Sequence, residues 1–525
     1  MPTLEFLSHS TRAGGVSYEF ATYDSLHPKE MIGFLIPDIF GSVIDNTYWL
    51  YEEKWHSWET CAYTGIIPLF LIIFGVKDSK FSKIKSFFVI LMIGSILLSF
   101  GKFNPIYKVI YRLPGFHNFR IPAQILYLYV FSIAVIAGII IDQIRAIKIS
   151  SSIFFFIFLI EIILILLYLA LFFYPKDSLF LLFNIFSRRA FDINIYRLYE
   201  RVIFSIDKML FILLSFLVVF FLFKIYKIRA SLFSFILSGI IVIDIILFSK
   251  PFIKPYTYDQ NHTKKEITMK LSKVPSEGRV AVISEIFNPN DGLLYSFPSI
   301  HGYDPLLLKR YVKYYLISQN IPLNDEIIVI SSLNDIGSKL FKMLNVKQIV
   351  FGQHVKNISN NIPYAYIAKE AKILSEDMIL PYMTNRGFDP FKVVLLEGNK
   401  NIIKCAFNKN NKDDYSIQII RYLPDEIYLK VQTPTAGFLV LSEIYYPGWY
   451  AEIDKKKVKV LRGNYLFRVI PIKPGFHNIR LFFRPFSFRI GVIISVITVV
   501  ILISIYFYTK KPFYTIFYRL KFLKL

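Results

Sequence analysis

Residues 113–141 read LPGFHNFRIPAQILYLYVFSIAVIAGIII. A short polar ramp runs straight into an apolar segment. Pro122 stands where a helix accepts proline, in its first turn, because that N–H has no helical acceptor anyway. From Ile125 to Ile141 no residue is charged. Extended back to Pro122 through the neutral Gln124, the run is long enough to cross a bilayer. Arg112, His117 and Arg120 stand just outside it. Basic side chains at a membrane mouth anchor a helix by reaching to the headgroups. They also suit a phosphate site, since a guanidinium grips phosphate through two parallel hydrogen bonds. Both readings stay open for these three residues.

Working outward, the composition agrees with a membrane chain. Of 525 residues 54% are hydrophobic, and the mean hydropathy is +0.46; an ordinary soluble protein is excluded. The net charge of +23 does not point to nucleic acid. The cations are spread through loops between apolar runs, with no RNA- or DNA-binding motif. Membrane lipids with anionic headgroups are the better partners. The two cysteines, Cys61 and Cys405, lie far apart and do not read as a disulfide framework.

Seven apolar runs recur: Cys61–Val76, Ser86–Phe100, Pro122–Ile141, Ser152–Tyr174, Met209–Phe223, Ser231–Phe248 and Ile490–Tyr508. The expected architecture is a helical polytopic membrane bundle with an extracytoplasmic α/β module and an antiparallel β-sandwich. Lysines in 77–85, then Arg145 and Lys148, then Lys224, Lys227 and Arg229, then the basic tail from Lys510, fall on one side if every run spans. That side is cytoplasmic. The cations of Lys102–Arg120 and Lys176–Lys208 read as belonging to the opposite, longer loops. Residues 1–59 then lie outside or at the interface, with Met31–Phe40 as a helix too short to span. Nothing upstream carries them there, so either the orientation is reversed or, the favoured expectation, this is the C-terminal portion of a longer protein.

The expected divisions are 1–59, an N-terminal extracytoplasmic or interfacial segment; 60–249, a bundle of about six helices; 250–411, the α/β module; 412–486, the sandwich; and 487–525, the last membrane helix and its cytoplasmic tail. In the module, Ile267–Leu271, Arg279–Ile286 and Val346–Phe351 read as short apolar runs between helical pieces such as Leu306–Ser318 and Ser338–Leu344. Beyond them Ile427, Leu429 and Val431 alternate with polar or aromatic residues, and so do Ile479, Leu481 and Phe483. Turn residues punctuate at Pro447-Gly448, Gly463-Asn464 and Pro474-Gly475, the pattern of short antiparallel strands.

Four segments carry a resemblance. They are the Y-x-G-x-x-P-L start of a helix (Tyr63–Leu69), the L-P-G-F-x-x-F-R-x-P ramp (Leu113–Pro122), G-Y-D-P (Gly302–Pro305), and the run from Tyr446 to Gly491 with its Y-P-G-W and P-G-x-H turns. In that order they resemble the YfhO-like bacterial membrane proteins, a branch of the C-type membrane glycosyltransferase lineage. The resemblance implies transfer of a sugar from a polyprenyl-phosphate carrier to a cell-envelope polymer, at a bacterial plasma membrane. It also implies a catalytic carboxylate on a first outer loop that would precede residue 1. Catalytic residues therefore stay unassigned, and a separately encoded N-terminal half is an expected partner. The rival class is a non-enzymatic scaffold or binding subunit for lipid-linked glycan or a partner enzyme. A transporter is disfavoured, because the runs show no paired broken helices.

Further candidates follow from placement. Glu161 lies mid-run and Asp244 near the end of another; intramembrane carboxylates are costly and either find a partner or serve a pathway. Tyr446 and Trp449 flank a turn and could stack on sugar rings or fill the sandwich core. Asp45, His56 and Glu59 share an outer loop but match no catalytic or metal template. No phosphate loop, dinucleotide fingerprint or zinc motif occurs. No cofactor is identified, and a divalent metal finds no ligand set; Asp413-Asp414 reads as a solvated turn.

Overall fold

The structure is a computed structural model and describes residues 1–45, 47–50, 57–75, 82–143, 151–175, 178–181, 194–225, 229–253, 258–359, 362–398 and 415–508. Lys77, Arg145, Lys148, Lys227, His56, Cys405, Asp413-Asp414 and the basic tail from Lys510 lie outside the described residues. The chain divides into two compact units, Gly15–Tyr256 and Met1–Gly14 with Thr257–Leu525. The first fourteen residues thus part company with the rest of the 1–59 segment.

The unit Gly15–Tyr256 is helical. Its long helices are Ile66–Gly75, Ser82–Ser99, Leu126–Asp142, Ser151–Phe173, Ile195–Ile225 and Ala230–Ser249. Leu198, Val202, Ile206, Met209, Leu213, Phe216 and Phe220 recur at helical spacing and are buried, as one face of a 3.6-residue period must be. Yet Phe211, Leu214, Val218 and Phe221 on the same helix are exposed. A helix apolar all round needs an apolar surrounding. Among the described residues four helical segments are long and apolar enough to cross a membrane: Pro122–Asp142, Ile195–Phe223, Ala230–Phe252 and Phe486–Tyr508. The runs beginning at Cys61 and Ser86 do not reach that standard. The first yields a described helix of only 10 residues, and the second begins with Ser82, Lys83 and Lys85.

Two local readings change. The membrane run placed at Met209–Phe223 belongs to a helix that starts at Ile195. Arg201 and Lys208 are therefore on a helix and not in a loop. The Met31–Phe40 segment is 3₁₀ from Pro28 to Phe34. His27 accepts from Lys29 N–H and Glu30 reaches back to His27 N–H at 2.8 Å, a reciprocal cap that satisfies two orphan donors.

In the other unit, β1 (Arg279–Ile283) pairs in parallel with β4 (Val346–Phe351), which pairs antiparallel with β5 (His354–Asn357); β2 (Gly302–Tyr303) and β3 (Val329–Ile330) form a small bridge. Ile267–Leu271 is not a strand. Ile267 closes the Tyr258–Met269 helix and packs with Leu271, Phe287 and Phe297. The remaining strands are β6 (Ala365–Ala368), β7 (Glu370–Leu374), β8 (Val393–Glu397), β9 (Ser416–Tyr422), β10 (Glu426–Thr433), β11 (Gly437–Ile444), β12 (Trp449–Ile453), β13 (Lys456–Val458), β14 (Leu461–Gly463), β15 (Phe467–Ile472) and β16 (Gly475–Phe483). They build a five-stranded sheet, β13-β12-β16-β10-β9, and a six-stranded sheet, β6-β11-β15-β14-β8-β7.

The six-stranded sheet crosses the boundary expected at residues 411/412, since β6, β7 and β8 belong to it. Leu439, Leu441 and Ile470 face Ile427, Leu429 and Leu481 of the other sheet in one core. Phe438, Val440, Phe467 and Val469, on the opposite face, pack with the helices Lys309–Ser318, Lys339–Met343 and Glu376–Thr384. A strand buried on both faces reads as an unbroken apolar run, which is why Gly437–Leu441 shows none of the alternation seen in β10.

Candidate functional site

The ramp is fastened to the segment 16–23. Val16 N–H donates to His117 O at 2.9 Å and Ile121 N–H to Ala21 O at 3.2 Å, and the Tyr111 hydroxyl donates to Val16 O. Ile121 precedes Pro122 and is left-handed, φ 63°, a conformation costly for a β-branched residue. Its neighbour Arg120 is half-buried. The guanidinium carbon of Arg120 sits 4.7 Å from the Phe20 ring centre and 4.6 Å from that of Tyr23. Its Nε is buried without a hydrogen-bond partner. No carboxylate pairs with Arg120 among the described residues. The His117 ring lies against Gly15, where a Cβ would come within 2.3 Å of it, so Gly15 makes room for the imidazole. Arg112 is exposed at the end of the short helix Tyr107–Tyr111. The three cations share one ramp in different settings: Arg120 against two aromatic rings, His117 against Gly15, and Arg112 exposed.

A second polar group gathers in the same unit. Arg201, Ser205 and Lys208 follow one another at i, i+4 and i+7 along Ile195–Ile225, so they share a face. Arg201 pairs with Asp45 and, at 3.6 Å, with Asp38. Ser205 donates to Asp38 at 3.0 Å. Lys208 reaches Asp244 at 3.1 Å, both almost fully buried. Asp244 also accepts from the Tyr63 hydroxyl at 2.7 Å and from Ile66 N–H at 3.1 Å, at the start of a helix. A carboxylate there meets the positive end of the helix dipole and an orphan donor together. The Y-x-G-x-x-P-L motif acquires a physical meaning. Tyr63 supplies the hydroxyl, Gly65 (φ +83°) the left-handed turn beside Asp244, and Pro68 falls in the first turn of its helix, where no N–H is needed.

Beside this group lies a cavity of about 60 Å³ lined by Glu30, Asp38, Tyr48, Trp58, Thr60 and Phe248 among others. Glu30 is buried and accepts from Tyr48 at 2.9 Å and Thr60 at 3.1 Å. Burial raises the Asp38 pKa above the usual carboxylate range, against the opposing pull of Ser205, Arg201 and Lys208. Asp38, Glu30, Arg201 and Lys208 were not singled out in the sequence. The legible signal was the i, i+4, i+7 polar stripe inside an apolar helix. Of the loop residues weighed there, Asp45 joins Arg201 and Thr47, while Glu59 is half-buried in a short 3₁₀ turn.

Glu161 stands elsewhere, 9% exposed in the Ser151–Phe173 helix, with Oε1 buried and unpartnered. In the other unit, Trp449 is taken up by protein: the Arg468 guanidinium lies 3.5 Å from its ring centre and Phe483 5.4 Å away. Tyr446 contacts Phe6, His9 and Phe483. The described residues contain no cluster of three or more His, Cys, Asp or Glu able to hold a metal ion.

The turns of the two-sheet region are equally specific. Gly448 takes φ +103° with Pro485 Cα 2.9 Å from where its Cβ would be, so Y-P-G-W needs glycine both for conformation and for space. Gly475 is also left-handed, and in P-G-x-H the His477 Nδ1 lies 2.7 Å from Asp454 Oδ2. β16 then passes through Arg484-Pro485 directly into the membrane helix Phe486–Tyr508. Residues 391–495, from β8 into that helix, match the family model described as bacterial membrane protein YfhO. Over that stretch this membrane chain is similar to the YfhO proteins. No curated protein and no solved structure matches the chain. The YfhO-like match covers the strands and the exit helix; the ramp and the Asp38 group lie outside it.

Proposed function

We propose that this YfhO-like protein handles polyprenyl-phosphate-linked sugars in the glycosylation of a cell-envelope polymer, as a glycosyltransferase-like protein of a bacterial plasma membrane with its large β-containing unit outside. The observation that carries the reading is Arg120. Two aromatic rings hold its guanidinium by the faces, and no carboxylate occupies its edge among the described residues. A planar cation held in this way keeps its fork for a phosphate. The strained Ile121–Pro122 junction beside it supports the assignment, because such strain gathers at ligand clamps. The cavity lined by Asp38 and Glu30 offers the unit an acid–base group close to the polar stripe of Ile195–Ile225.

The test is binding of a polyprenyl phosphate to the purified protein and to Arg120→Lys and Arg120→Ala. Charge-assisted hydrogen bonds contribute about 1.5–3 kcal/mol each, so Arg120→Ala should weaken binding by about tenfold or more. Lysine keeps the charge but not the fork or the stacking, and should fail to restore it. Equal binding by all three proteins would leave Arg120 as a membrane anchor and remove the carrier dock. Binding that depends on Arg120 without sugar transfer would favour the scaffold reading.

A further inference from the structure

Within the unit formed by Met1–Gly14 and Thr257–Leu525 lies a cavity of about 320 Å³, inside the range of small-molecule sites (about 300–1,000 Å³). Its walls come from residues 8–13, the first turn of Lys309–Ser318, the Tyr445–Pro447 turn after β11, and the β14–β15 connection. Four tyrosines, Tyr311, Tyr445, Tyr446 and Tyr465, line it, and two guanidiniums lie over two of them. Arg462 Cζ is 4.6 Å from the Tyr445 ring centre and Arg310 Cζ is 4.8 Å from that of Tyr465. Tyr465 and the preceding Asn464 are both left-handed, φ 68° and 47°. The connection keeps that strained form because Asn464 accepts from Leu395 N–H at 2.9 Å and donates to the Tyr366 hydroxyl at 3.2 Å.

The charges are arranged unevenly. Glu397 accepts from both Nη atoms of Arg310 and, at 3.1 Å, from Arg462 Nη1. Glu376 also pairs with Arg310. Lys309 is matched by Asp325 at 2.8 Å. Both Nη atoms of Arg310 are thus engaged, whereas Arg462 shares Glu397 and its Nε is buried with no acceptor. Arg462 and Arg310 share Glu397 and Glu376, and Lys313 faces the exposed Asp377; what the wall has in excess is a hydrogen-bond donor, Arg462 Nε. Buried donors without acceptors are rare in a finished core and usually mark a missing partner.

We propose that this cavity binds an anionic sugar, with the ring against the Tyr445 and Tyr446 wall and the anion on Arg462 and Lys313. Aromatic faces take the apolar face of a pyranose, a guanidinium edge takes the anion, and the Arg310–Glu397 pair fixes the wall on the Tyr465 side. Phosphate and carboxylate share this chemistry. The inference does not depend on the carrier reading at Arg120.

The experiment uses the full chain in detergent and isothermal titration with four probes: glucose 1-phosphate, glucuronate, glucose and inorganic phosphate. At least one anionic sugar should bind at least tenfold more tightly than either glucose or phosphate, and which one does so identifies the anion. Arg462→Gln should weaken that binding about tenfold. Lys313→Gln, which leaves the Glu397 network untouched, should weaken it severalfold and serves if Arg462→Gln does not fold. Polyprenyl-phosphate binding should stay unchanged in both variants, which separates failure here from failure at Arg120. The site is overturned if no anionic sugar outcompetes inorganic phosphate, or if a folded Arg462→Gln or Lys313→Gln binds as the wild type does.

Discussion

Lys208 and Asp244 show how a single residue can look different in sequence and in structure. Asp244 reads as a lone carboxylate near a helix end; in the fold it joins Lys208, Tyr63 and Ile66 N–H. Removing one member of a buried ion pair strands the other, at about 3–5 kcal/mol. Lys208→Met should therefore lower the thermal stability of the purified protein sharply. Adding Asp244→Asn should recover much of the loss, because the amide oxygen still accepts from Tyr63 and Ile66. No recovery in the double variant would show that the pair contributes through something other than charge. His301 makes a second residue-scale case. It is buried; Nδ1 accepts from Val282 N–H at 3.1 Å and Nε2 lies 2.9 Å from the Tyr315 hydroxyl. Burial lowers its pKa to about 4. The unfolded chain, with an ordinary histidine, then binds more protons between about 6.5 and 4. Stability from this group is fully present above about pH 6.5 and declines as pH falls towards 4, by up to about 3 kcal/mol. Hydrogen exchange at Val282 N–H should accelerate over that window in the wild type and far less in His301→Gln; an unchanged rate across it would refute the linkage.

At the scale of elements, periodicity identified faces but not what they met. The polar stripe Arg201, Ser205 and Lys208 sits beside the buried stripe Leu198, Val202, Ile206 and Met209. Its partners come from a loop about 160 residues earlier and from the next helix, which helical spacing does not encode. The start of the Ile66–Gly75 helix is more local. Gly65 holds φ +83°, and an added Cβ would lie 3.2 Å from Asp244 Oδ2. The left-handed conformation alone costs a non-glycine residue about 1–2 kcal/mol. Gly65→Ala should lower stability by at least that much, measured by thermal melting, whereas Gly94→Ala, which meets nothing within 4 Å inside a helix, should be neutral or stabilising. Equal effects at the two positions would remove the argument from Y-x-G.

At the scale of the whole molecule, the six-stranded sheet decides what can fold alone. β11 pairs with β6, and β14 with β8, so a fragment beginning at residue 412 loses three strands and exposes Phe438, Val440, Phe467 and Val469. Such a fragment should aggregate, while a fragment spanning 257–486 should keep the sheet; circular dichroism and sedimentation would distinguish them. A well-folded 412–486 fragment would refute the shared sheet. The proposed topology places Lys456 outside the membrane. A cysteine there should label with an impermeant reagent in intact cells, and labelling only after permeabilisation would reverse the orientation.

The membrane character, the ramp into Pro122–Asp142, the alternation of β10 and β16, and the turns at Gly448 and Gly475 are all legible along the chain. Each of these depends on neighbours within a few residues: an unbroken apolar length, a period of two, or a backbone angle that only glycine adopts freely. The packed chain alone brings β6, β7 and β8 into the six-stranded sheet, gives Arg201 and Lys208 the carboxylates Asp38, Asp45 and Asp244, and sets Arg120 against Phe20 and Tyr23. Those pairings, and the Tyr63–Asp244 hydrogen bond beside them, join residues up to 181 positions apart. A side chain's charge and period specify the kind of partner it requires; only the packed chain brings one particular partner within hydrogen-bonding distance.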